Sequence, residues 1–146
     1  MTRRREVATG RHAARLPERK HSDRLATRHR FGFLTLPRYS MIALTSAVEP
    51  LRMANRLCHE DVYAWSIVSL DGAPVAASNG LTLAPTAALG AMGPVDVLFV
   101  CGGIDVQRAV SRDLLSALRR LTHERVALGS LCTGGYALAK AGLLDK

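Results

Sequence analysis

The sequence predicts an α/β fold: a doubly wound, mostly parallel sheet with helices on both faces. Three observations carry this. Segments of strand character alternate with segments of helical spacing, the order that builds parallel sheets through helical crossovers. Pro94-Val95-Asp96-Val97-Leu98-Phe99-Val100-Cys101 is almost continuously apolar, as a strand covered on both faces must be. The stretch Val126 to Gly142 begins as a short apolar run and turns through small residues that hold Cys132. It leaves as an alanine-rich helix. That order is the pattern of a nucleophile elbow.

Residues 1–29 are rich in Arg and His, poor in large apolar residues and free of helical periodicity, and read as a disordered basic arm. A folded domain is expected over 30–146. Arg30 to Leu36 is a buried strand ended by Pro37. Ser40 is placed to cap a helix over Met41 to Cys58, with Leu44, Val48, Leu51 and Leu57 inward and a kink or break at Pro50. Tyr63 to Leu70 alternates as a second strand. Pro74 to Ala77 and Leu81 to Ala84 flank Ser78-Asn79-Gly80, a hairpin signal. Ala87 to Met92 reads as a short helix or loop. Gly102-Gly103 ends the apolar strand, and Asp113 to His123 is an amphipathic helix with Leu114, Leu115, Leu118 and Leu121 inward.

The 146 residues suffice for one domain with one real core. The formal charge of +8 suggests nucleic acid until its distribution is counted. Up to Arg30 there are ten Arg/Lys against three acids; from Phe31 onward, ten against nine. The body therefore presents no basic face for DNA. Cys58, Cys101 and Cys132 are too widely spaced for a disulfide framework or a metal site, so no metal or cofactor is expected, and the setting is cytoplasmic. No apolar run approaches a membrane span, and the arm lacks the apolar middle of a secretory signal.

Ligands of such sheets bind at the carboxyl ends of the strands. Cys132 follows the last strand, where the helix N-terminus that comes after it favours thiolate. Gly102-Gly103 offers backbone N–H groups for an anion or oxyanion hole. Glu49, beside Pro50, is in the first helix, from which it would reach the cysteine. Cys101 reads as strand core, Cys58-His59 as a surface pair at a helix end, and His123 as solvent-facing. A catalytic cysteine needs a base; the body offers His59 and His123, and neither follows the elbow.

Together these residues resemble the ThiJ/PfpI superfamily, and more narrowly the amino-terminal domain of GlxA-like, AraC-type transcriptional regulators. The matching pieces are Phe33-Leu34-Thr35-Leu36-Pro37, Ser46 to Asn55, Ser78-Asn79-Gly80-Leu81, Asp96 to Gly103 and Cys132 to Asp145. The resemblance implies a flavodoxin-like, three-layer α/β/α fold of the class I glutamine amidotransferase-like kind. It matches Cys132 and Glu49 to the superfamily's cysteine and glutamate pair. It implies a ligand-sensing and dimerising module, usually without demonstrated enzyme activity, whose DNA contacts come from a carboxy-terminal helix-turn-helix domain. Since the sequence stops after the elbow helix, the domain is expected to be truncated, without its last strands and without the DNA-binding part. On this reading Gly102, Gly103, Cys132 and Thr133 line a site for a small-molecule effector, and the full-length family is a homodimer. The alternatives are a small cysteine-dependent hydrolase, with Cys132 as nucleophile and Glu49 as proton partner, or an interaction module that pairs through its open sheet edge.

Overall fold

The structure is a computed structural model that describes residues 28–144; the proposed arm lies outside it apart from Arg28 and His29. The first strand, β1 (His29–Thr35), takes in His29, so the domain begins one residue earlier than expected. The His29 N–H donates to the Val62 carbonyl at 3.0 Å, which starts the parallel pairing. Side chains alternate across β1: Phe31 and Phe33 join the core on one face, Leu34 the core on the other.

Helix α1 (Met41–Cys58) starts at Ser40, whose hydroxyl accepts the Ala43 N–H at 3.4 Å. It runs through Pro50 as one helix, so of the expected kink or break the break does not occur. Pro50 and Ser46, whose carbonyl loses its usual partner, both lie on the exposed side, so water is available to that carbonyl. Leu44 is buried, and Val48 and Leu51 are half-buried against the sheet. Leu57 is not inward as expected: it is 72% exposed. Thirteen residues past Leu44, it sits about 220° round the helix from that buried position. Asn55 ties the end of α1 to the next strand through its side chain, donating to the Tyr63 carbonyl at 2.8 Å and accepting the Tyr63 N–H at 2.9 Å.

Strand β2 (Tyr63–Ser69) pairs parallel with β1. The expected hairpin forms as β3 (Val75–Ala76) and β4 (Thr82–Leu83), with Gly80 at φ +85° in its turn. The segment read as helix or loop opens instead with a two-residue strand, β5 (Ala87–Ala88), on the edge of β2; a 3₁₀ turn follows at Leu89–Ala91. Strand β6 (Val97–Cys101) is followed by an unforeseen short helix, α2 (Val106–Ala109). Then come α3 (Arg112–His123), capped by Ser111, and β7 (Ala127–Leu131). A 3₁₀ turn over Cys132–Gly134 leads into α4 (Gly135–Ala141).

The five-stranded sheet has the order β5-β2-β1-β6-β7 and is parallel throughout. The chain builds outward from β1 in one direction through β2, then reverses to β6 and β7. Helix α1 and the β3–β4 hairpin cover one face, over Phe33, Tyr39 and Cys101. Val106, Leu114, Leu118 and Leu138 of α2, α3 and α4 cover the other, over Leu34, Val68, Leu98 and Val100. This is the doubly wound, three-layer arrangement that the sequence predicts. Among the described residues no helix is long and apolar enough to cross a membrane, and no group of His, Cys, Asp and Glu is arranged to hold a metal ion.

Candidate functional site

The direction of building reverses between β1 and β6, the switch point of the sheet. Open α/β sheets bind ligands in the crevice at that point. The segments that leave β1 and β6 stay paired beyond the sheet. Leu36 N–H donates to Cys101 O at 3.1 Å, Ser40 N–H to Gly102 O at 3.0 Å, and Ile104 N–H to Arg38 O at 3.1 Å. Tyr39 and Gly103 face each other in this short antiparallel bridge. Tyr39 is fully buried, and burial, with the neighbouring Cys101, raises its phenol above the usual range.

Cys132 stands at the end of β7 with φ +54°, a left-handed conformation that costs a non-glycine residue about 1–3 kcal/mol. That is the strained turn expected of an elbow, and the side chain is exposed. Two close backbone approaches make it possible. A Cβ on Gly134 would lie 1.9 Å from the Val100 carbonyl oxygen, and one on Gly102 would lie 2.4 Å from the Gly134 nitrogen. Only glycine fits at either position. Thr133 then fastens the turn to the neighbouring loop, its hydroxyl donating to Gly103 O at 2.7 Å.

Gly102, Gly103, Cys132 and Thr133 are thus brought together. The sequence offered both glycine N–H groups as an anion hole, and the hydrogen bonds narrow that to one. Gly102 N–H donates to Leu131 O at 3.2 Å and is committed to the fold. Gly103 N–H has no acceptor among the described residues. Glu49 stands on the exposed side of α1, and its carboxylate bonds Arg52 at 2.6 Å. That hydrogen bond holds its carboxyl below the usual range. Among the described residues no hydrogen bond joins Glu49 to Cys132.

The described histidines are at the wrong end for a base. His29 opens β1, His59 closes α1 and His123 ends α3. A crossover helix runs from the carboxyl end of one parallel strand back to the amino end of the next. All three therefore sit at the amino ends of strands, across the sheet from Cys132. Cys101, one strand over from the elbow, is buried core as expected, and burial pushes its thiol up to about 12. The sequence reading missed Arg38 and Asp105. They leave β1 and β6 at this same end and form an ion pair of 2.7 Å.

Residues 40–146 match the model of the DJ-1/PfpI family. The chain belongs to the DJ-1/PfpI family. Its similarity to curated proteins is narrower than the fold. It is 47% identical over 114 residues to the HTH-type transcriptional regulator GbdR of Pseudomonas aeruginosa, a match that covers 78% of this chain and 31% of GbdR. With the HTH-type transcriptional regulator CdhR of the same species it shares 48% over 115 residues, covering 79% of this chain and 34% of CdhR. A crystal structure of an AraC family transcriptional regulator from Pseudomonas putida superposes with a TM-score of 0.70 at 34% identity, covering 80% of this chain and 63% of that one. The DJ-1/PfpI domain described here thus spans about a third of the length of the curated relatives it matches.

Proposed function

We propose that this chain is the ligand-sensing and dimerising domain of an AraC-type transcriptional regulator. It works in the cytoplasm as part of a homodimer and binds a small-molecule effector at Gly102, Gly103, Cys132 and Thr133. The observation that carries the reading is the 47–48% identity to two HTH-type transcriptional regulators across more than three quarters of the chain. The charge balance supports it: from Phe31 onward ten Arg/Lys stand against nine acids, so DNA contact falls to a helix-turn-helix region of the kind those relatives are named for.

The site favours binding over turnover. Among the described residues Cys132 has no histidine at its end of the sheet, and the carboxylate of Glu49 is held ionised by Arg52. A nucleophilic thiol without a base, or a partner to hold a proton, is a poor catalyst. A second reading, a cysteine-dependent hydrolase, draws on the left-handed φ of Cys132. Assays of amide, peptide and 2-oxoaldehyde substrates on the full chain and on Cys132→Ala separate the two. Sensing predicts the same background rate in both proteins. Hydrolysis that disappears with Cys132→Ala would overturn it in favour of the hydrolase.

A further inference from the structure

The geometry points to Arg38 as the residue that recognises a carboxylate on the effector, with Asp105 occupying its place until the effector arrives. This rests on the sensing reading and deepens it. Five described residues other than glycine have positive φ: Arg38, His59, Asp105, Arg125 and Cys132. His59 and Arg125 follow helix ends at the amino side of the sheet, where left-handed residues commonly terminate helices. The other three meet at the opposite end, around Gly103. Arg38 lies on one side, its carbonyl bonded to Ile104 N–H at 3.1 Å. On the other is Thr133, bonded to Gly103 O at 2.7 Å and next to Cys132. Asp105 is two residues further along and turns back to Arg38.

Strain of this kind persists where neighbouring contacts enforce it, and it collects at sites that bind. Besides the backbone bonds, the two strained loops are joined by a side-chain contact, the Arg38 Nη1 to Asp105 Oδ2 ion pair of 2.7 Å. The side chains remain 54% and 45% exposed. An ion pair so wet contributes little, so its carboxylate is readily exchanged. A guanidinium presents a planar fork that fits carboxylates, and Asp105 already shows a carboxylate in that position. Two strand spacings separate the exits of β1 and β7, about 10 Å. A small molecule extended over about that length reaches from Cys132 and Thr133 to Arg38.

Asp105 also leads directly into α2, whose Val106 is buried in one core with Ala137, Leu138 and Ala141 of α4. Release of Asp105 frees a residue that joins the mouth of the site to the layer behind the elbow.

The test uses two alkylating reagents of nearly the same shape, anionic iodoacetate and neutral iodoacetamide, on the full chain at low ionic strength. Labelling at Cys132 is read by mass spectrometry. The quantity of interest is the ratio of the two rates, because a merely structural change moves both rates together. Asp105→Asn, which releases the guanidinium, is expected to raise the iodoacetate to iodoacetamide ratio about two- to fourfold, the effect of one charge at this range. Arg38→Gln is expected to lower it, and Arg38→Lys to restore part of it. A ratio unchanged in Asp105→Asn overturns the proposal, and that variant alone decides the matter if Arg38→Gln does not fold. The ratio depends on the charge near Cys132 and not on whether the domain senses or hydrolyses. Failure here therefore leaves the sensing reading standing, and failure of that reading appears in the substrate assays instead.

Discussion

Cys101 ends one strand, and Cys132 follows the end of its neighbour; their surroundings are opposite. Cys132 is exposed on a strained turn, whereas Cys101 is buried beneath α1 and the hairpin. Burial disfavours the charged thiolate, so the Cys101 thiol is raised from 9.0 to about 12. The neutral form is then the one the fold stabilises. Its contribution is complete below pH 9 and is lost as the pH rises from there through about 12. Urea midpoints measured from pH 8 to pH 11 are expected to fall more steeply for the full chain than for Cys101→Ala. Parallel curves would show that burial of this thiol has no part in the alkaline response. Cys132 and the two strand-end glycines were legible in the sequence because a thiol between small residues, and a Gly-Gly pair after an apolar run, interrupt recognisable patterns. The Arg38–Asp105 pair was not legible. Its members are 67 positions apart, neither breaks a periodicity, and the left-handed φ of Arg38 belongs to a residue type that gives no warning of it.

Elements long enough to show a period, or marked by a turn signal as β3 and β4 are by Asn79-Gly80, were the ones that could be read from the sequence. Strand β6 is apolar on both faces, and α3 keeps Leu114, Leu118 and Leu121 buried on one side, so both were recognised. The sequence reading began α3 at Asp113 and named no cap; in the structure the helix starts at Arg112 and Ser111 caps it, its hydroxyl accepting the Leu114 N–H at 3.1 Å. Ser111→Ala is expected to lower stability by about 1 kcal/mol, measured by urea unfolding, with no change in Cys132 labelling. A loss well under half of that would mean that water caps the helix equally well. Strand β5 and helix α2 were missed because two and four residues are too short for any periodicity; they exist through their tertiary neighbours, Val68 and Ser69 for β5 and the α4 layer for α2. Of the kink or break expected near Pro50, the break is absent for a different reason. A proline deletes one helical hydrogen bond, but on an exposed face the orphaned carbonyl keeps water as a partner.

For the whole molecule, the order of the sheet matters more than any one contact. Placing β1 beside β6 at the point of reversal gathers Arg38, Gly103, Asp105, Cys132 and Thr133 at one end and leaves His29, His59 and His123 at the other. The fold thus provides a strained, glycine-lined strand end that, among the described residues, has no histidine beside the thiol. The role proposed for this end is effector binding. The most direct measurement is thermal unfolding of the full chain across a library of small carboxylates and amines, with Thr133→Val in parallel. Effector binding at the elbow predicts a saturable rise in melting temperature for at least one compound, equivalent to about 2.7 kcal/mol at one hundred times its Kd. Thr133→Val, which removes the hydroxyl that fastens the turn to Gly103, is expected to weaken or abolish that rise. An equal rise in both proteins would place the binding site elsewhere and contradict the account.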